Sequence, residues 1–158
     1  MTETTSKEVR AAFAACMKRA GVERKGALWY VRSSEVIVVF SLQKSQYAAS
    51  FYWNVGFCLT TVDGGHERYP RPNDAHIRAR AEGMFAAEEQ HISALLDAES
   101  DVPPEERREG LCHFISERVL PFCADASTVD ALREMVASGP LAHLPIWSDE
   151  ARDVLDPL

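Results

Sequence analysis

The chain has 158 residues, 46% of them apolar and 26% charged, with a formal net charge of −7. A chain of that length buries roughly 70% of its unfolded surface, so one α+β domain over residues 1–158 is expected, with no need of staples. No run approaches the ~18 apolar residues of a membrane span, Met1–Arg10 carries no signal-peptide pattern, and the acidic balance disfavours anionic membranes and nucleic acid.

In chain order, Thr5 or Ser6 can cap a first helix. Val9, Phe13, Cys16, Met17 and Ala20 share one face at three- and four-residue spacing, and Gly21 ends it. Glu23–Gly26 reads as a charged turn and Ala27–Val31 as a short first strand. Val36, Val38, Phe40 and Leu42 then alternate with Ile37, Val39, Ser41 and Gln43. After a polar break at Lys44–Ser50, Phe51, Trp53, Val55, Phe57 and Leu59 alternate with Tyr52, Asn54, Gly56, Cys58 and Thr60. This period of two predicts a pair of antiparallel strands with one strongly apolar face under the first helix.

Asp63-Gly64-Gly65 is a turn by composition, and Tyr69–Asp74, with Pro70 and Pro72, is a loop. His76–Ala81 alternates and reads as a further strand whose outer face carries Arg78 and Arg80. Residues 84–98 are ambiguous. The spacing of Met84, Phe85, Ile92 and Leu95 is helical, yet Ile92, Ala94 and Leu96 also alternate as a strand would. Asp101-Val102-Pro103-Pro104 marks a helix start with Asp101 as cap; Leu111, Phe114, Ile115 and Val119 form its buried stripe. Ser127 caps another helix that Gly139-Pro140 ends, and the tail from Leu141 packs back through Leu144, Ile146 and Trp147. The expected fold is a small antiparallel sheet of about four to five strands, covered by an N-terminal helix and C-terminal helices.

Cys16, Cys58, Cys112 and Cys123 lie far apart with no C-x-x-C pair. They read as buried free thiols in a reducing, cytoplasmic setting, and a disulfide framework or a cysteine zinc site is not expected. Ser41-Leu42-Gln43-Lys44 matches the S-x-x-K string of serine acyl-enzymes. On a strand, however, positions three apart point to opposite faces, so the string carries no catalytic pair. Glu88-Glu89-Gln90-His91 holds a single E-x-x-H where a dimetal site needs two. Glu109, His113 and Glu117 on one helix are too few for a closed metal site. No metal and no cofactor is expected. The polar groups of the central strands remain: Gln43, Lys44, Tyr52 and Asn54, with Arg78 adding charge, could line an aromatic-walled ligand site at the loop end.

Gly21-Val22, Leu28-Trp29-Tyr30, Val39-Phe40-Ser41-Leu42-Gln43-Lys44-Ser45 and Phe51-Tyr52-Trp53-Asn54-Val55-Gly56 together resemble the core of a bacterial family of unknown function, DUF4304. The likeness covers about Val9–Leu59 well and the remainder loosely. Leu42-Gln43-Lys44-Ser45 combined with Asn54-x-Gly56 is its most specific part. The resemblance implies an α+β fold with an antiparallel sheet, and a strand at His91–Asp97; it supplies no activity and no catalytic residues.

Charge is unevenly spread. Residues 1–80 hold 12 Lys/Arg against 7 Asp/Glu, and residues 81–158 hold 5 against 17. An acidic second half favours a basic protein partner by electrostatic steering. The expectation is therefore a non-enzymatic binding protein, of the immunity or antitoxin kind, that neutralises a basic partner. The alternative is a small-molecule or enzymatic site at the polar cluster. A homodimer through Tyr47, Tyr52 and Trp53 is a third expectation.

Overall fold

A computed structural model describes residues 2–62 and 68–156. The expected turn at Asp63-Gly64-Gly65 and His66 lies outside them. Helix α1 spans Thr2–Arg19, so Thr5 and Ser6 fall within it and not at its start. Five strands follow: β1 (Glu23–Lys25), β2 (Leu28–Arg32), β3 (Val36–Lys44), β4 (Phe51–Leu59) and β5 (Ile77–Arg80). They form one sheet in the order β1-β2-β3-β4-β5, every neighbouring pair antiparallel.

The long antiparallel hairpin forms as expected, and its register sets Phe40 opposite Val55, Leu42 opposite Trp53 and Gln43 opposite Tyr52. Glu23–Lys25, read above as a turn, is instead an edge strand paired with β2. Its three residues are all exposed, so it shows no alternation to read. The turn is the two residues beyond it: Gly26 takes φ 63 and Ala27 does not turn positive, the pattern of a two-residue hairpin with glycine first.

Short helical pieces follow β5: α2 (Ala81–Met84), a 3₁₀ turn (Ala86–Glu88) and α3 (Glu89–Leu95). The strand implied for His91–Asp97 is thus a helix, because Ile92 and Leu95 are what the core takes up while His91 and Ser93 stay exposed. The end of that stretch bonds to the sheet through its backbone. Asp97 bridges Ser50, the Phe51 N–H donates to Leu96 O (3.0 Å) and the Ala98 N–H to Ala49 O (2.7 Å).

Helix α4 (Pro104–Phe114) starts behind Pro103 and not at Asp101. It runs through a π turn (Ile115–Val119) into α5 (Leu120–Asp125). Proline has no N–H, so Pro121 cannot close an ordinary helical hydrogen bond, and the wider turn lies immediately ahead of it. Helix α6 (Val129–Ser138) is capped by Thr128, whose Oγ1 accepts from the Ala131 N–H (3.1 Å), where Ser127 was expected. The tail, with α7 (Asp149–Leu155), packs back through Leu141, Ala151 and Leu155, which are fully buried; of the residues expected to do so, Leu144 and Ile146 are half-buried and Trp147 is exposed. Among the described residues no helix is long and apolar enough to cross a membrane.

The helices cover one face of the sheet. Val36, Val38, Phe40, Phe51, Trp53, Val55, Phe57, Leu59 and Ile77 point into a core shared with Val9, Phe13 and Met17 of α1 and with Leu111, Phe114 and Ile115. Trp53 sits at its centre, edge-on to Phe13 (centroids 4.9 Å) and Phe114 (5.7 Å). Phe85 carries the ring contacts onward to Phe114 (5.1 Å) and Phe122 (5.5 Å).

Two of the four cysteines overturn the expectation of free thiols. Cys16 of α1 and Cys112 of α4 form a disulfide, their Cα atoms 4.8 Å apart across 96 positions of sequence. Spacing alone cannot say which cysteines meet in space; here the packing of α1 on α4 brings them together. Cys58 and Cys123 are buried free thiols, and burial pushes each up to about 12.

Candidate functional site

The face of the sheet turned away from the helices has two halves. In one, Tyr30, Ile37, Val39, Cys58 and Ala75 form a small second cluster with Leu28 and Tyr69. The segment leading to β5, through a 3₁₀ turn (Pro72–Asp74), lies over it, and the Tyr30 hydroxyl donates to Pro70 O (3.1 Å). Gly56 makes this closure possible. A Cβ there would stand 2.7 Å from the Ala75 Cβ and 2.9 Å from Val39 Cγ1.

The other half is uncovered, and it holds most of the polar residues singled out from the sequence. Gln43 and Asn54 stand on neighbouring strands of this face, and Asn54 Nδ2 donates to Gln43 Oε1 (3.0 Å). Tyr52 lies opposite Gln43, and the Arg80 guanidinium sits 3.9 Å above its ring. Arg78 is on the same face two residues along β5. Its Nε donates to Ala75 O (3.2 Å), its Nη2 to Asn73 O, and its guanidinium lies 4.5 Å from the centre of the exposed Trp147 ring.

Lys44 does not join them. It occupies an inner-face position at the end of β3, opposite Phe51, and Nζ turns to Ala48 O of its own loop (3.5 Å). Trp53 is fully buried, so of the three rings expected at a dimer surface only Tyr47 is largely exposed (93%) and Tyr52 half-buried.

The clefts of the surface are lined by other residues. A groove of about 430 Å³ runs between α1 and the start of α4, over Ala11, Ala12, Ala15 and Pro104. A second, of about 380 Å³, lies beside the disulfide among Arg19, Glu109, His113 and Glu117. Glu88 of the single E-x-x-H is ion-paired with Arg118 (2.7 Å), and His91 is exposed.

Several groups that sequence reasoning passed over are structural pins. Buried Arg107 donates from Nη1 to Leu95 O (2.5 Å) and Ala94 O (3.2 Å), closing the carbonyl end of α3. Buried His76 accepts the Leu59 N–H at Nδ1 (2.9 Å), and the Trp147 N–H donates to its carbonyl (2.8 Å). Glu82 Oε1 accepts the Trp53 N–H (3.4 Å) at the point where β5 no longer reaches, and burial raises its pKa. No sequence signal marks these three, because each is a polar residue whose role depends on a distant backbone group.

The chain matches the family described as Domain of unknown function (DUF4304) over residues 13–125. It belongs to that family. The DUF4304 match takes in α1 from Phe13, the whole sheet and the helices through α5, so both halves of the outer face lie within it. No curated protein and no solved structure matches this DUF4304 chain.

Proposed function

We propose that this DUF4304 protein is a non-enzymatic binding protein whose helical layer takes a basic partner protein, in the manner of an immunity protein or antitoxin. The observation that supports it is the state of the carboxylates on that layer. Glu105, Glu106, Glu109, Glu117, Asp125 and Glu134 are all exposed, and none has an ion-pair partner among the described residues. Unpaired surface charge of one sign speeds encounter with the opposite sign and weakens with salt.

The alternative, a small-molecule or catalytic site at the polar cluster, is favoured by the Gln43–Asn54 hydrogen bond beside Arg80; the turning of Lys44 to its own loop weighs against it. A cytoplasmic location belongs to the same proposal. The buried thiols Cys58 and Cys123 suit it and the Cys16–Cys112 bridge does not.

The test is capture from the source cell by the wild-type chain and by Glu105→Lys/Glu109→Lys/Glu117→Lys, quantified by mass spectrometry at rising salt. A basic protein held by the wild type, released by salt and lost from the triple variant, supports the reading. Identical recoveries from both chains contradict it.

A further inference from the structure

The reading above concerns the helices; the uncovered sheet face on the other side carries an inference of its own. Across the whole outer face, Lys25, Arg32, Arg68, Arg71, Arg78 and Arg80 stand with only Glu23 and Asp74 among the described carboxylates. Glu23 is taken by Arg32 (2.8 Å), and Asp74 reaches Arg71 at 4.0 Å. Neither Arg78 nor Arg80 forms an ion pair among the described residues, although the chain as a whole is acidic, and the carboxylate in electrostatic reach of Arg80 is Glu82, whose burial favours its neutral form.

Both guanidiniums are held in place by rings, Arg80 by Tyr52 and Arg78 by Trp147. Stacking occupies the flat face of a guanidinium and, at Arg80, leaves free the N–H edge that forks onto a carboxylate; Arg78 gives Nε and Nη2 to Ala75 O and Asn73 O and keeps Nη1 for an end-on contact. A side chain already held this way loses less entropy when it binds. Alternate residues of one strand face stand about 6.6 Å apart. The same spacing separates alternate side chains of an extended peptide, so two carboxylates at positions i and i+2 would meet Arg78 and Arg80 in turn.

We propose that the open half of the outer sheet face docks an extended acidic segment of a partner protein, its alternate carboxylates seated on Arg80 and Arg78 beside the Gln43–Asn54 pair. Nucleic acid is the poorer fit. A polyanion extends well beyond a Debye length and meets the repulsion of a chain with net charge −7, whereas a short carboxylate segment feels mainly the local cations.

The probe is a fluorescein-labelled decapeptide of alternating glutamate and serine, followed by anisotropy in low salt. A peptide of the same composition with all glutamates in one block, and a ten-nucleotide single-stranded DNA, are measured beside it. The full chain is used as wild type, Arg80→Glu, Arg80→Lys and Lys18→Glu, the last an exposed cation on α1, with circular dichroism confirming that each is folded. The alternating peptide binds the wild type most tightly. Arg80→Glu weakens it about tenfold, Arg80→Lys by an intermediate amount, and Lys18→Glu by less than about twofold. Equal losses in Arg80→Glu and Lys18→Glu, equal affinity for the blocked peptide, or tighter binding of the DNA would each overturn the proposal.

Discussion

On β4 the residues Phe51, Trp53, Val55, Phe57 and Leu59 all lie in the core, while their neighbours Tyr52 and Asn54 remain half-exposed and only Gly56 and Cys58 are covered. One strand thus serves two purposes at alternate positions. The inner set is fixed by volume: large rings meet rings from α1 and α4, and every side chain has a neighbour. The outer set is fixed by what lies above it. Where the segment through Ala75 crosses, the residue beneath must be glycine; where nothing crosses, polar groups pair with each other. The comparison teaches that substitutions two positions apart should fail in different ways.

The largest effect belongs to Trp53. Trp53→Ala should cost about 3–5 kcal/mol in urea unfolding, because it empties the centre of the ring cluster. Its Nε1 is the one buried side-chain polar atom lacking a partner among the described residues. Trp53→Phe removes that unsatisfied N–H and should therefore cost under about 2 kcal/mol. A Phe variant as unstable as the Ala variant would show that the indole nitrogen is satisfied after all.

Next comes the staple on the helical cover. Titration of the unfolded, unreduced protein should find two thiols, Cys58 and Cys123, and four after reduction. Losing the bridge in Cys16→Ala/Cys112→Ala should cost about 2–4 kcal/mol. Four thiols without reductant would mean that α1 and α4 are held by packing alone.

On the outer face, Gly56→Ala should destabilise by about 1–3 kcal/mol, since the added methyl meets Ala75 and Val39 side chains that cannot swing away. Gly83→Ala is the control. Nothing lies within 4 Å of the Cβ it adds, so it should be neutral or mildly stabilising. Equal effects at the two glycines would mean that the Tyr69–Ala75 segment does not lie on the sheet.

The smallest effect is at the border between the faces. Burial raises the Glu82 carboxyl above its ordinary value, so its neutral form is the one the fold prefers. Stability from this group is complete below the unfolded-state value and is lost as pH rises through the folded-state value. Glu82→Gln keeps an acceptor for the Trp53 N–H and should flatten that decline. Denaturant midpoints of the two chains should coincide in acid, with the variant slightly ahead at neutral pH.

Much of this was legible in the sequence. The alternation of Val36–Gln43 and Phe51–Thr60 named both faces of the central hairpin and grouped Gln43, Tyr52 and Asn54 on the outer one. The alternation of His76–Ala81 likewise places Arg78 and Arg80 on the outer face. What stayed hidden depends on neighbours that are distant in sequence. Glu23–Lys25 becomes a strand only because β2 lies next to it, having no hidden face of its own. His91–Leu95 could be helix or strand by pattern and was settled by which side chains the core accepted. The Cys16–Cys112 contact exists because two helices cross, and the burial of Arg107 because the carbonyl end of α3 lies beneath it. Lys44 looked like a site residue from its place beside Gln43, yet one step along a strand moves a side chain to the other face.

The claim on which the rest stands is that adjacent residues of β4 face opposite environments. Hydroxyl-radical footprinting of the folded protein, read residue by residue by mass spectrometry, tests it directly at Tyr52 and Trp53. Tyr52 should be labelled and Trp53 protected, with Trp147 and Tyr47 labelled fastest of all. Labelling of Trp53 at a rate near that of Trp147 would contradict the account.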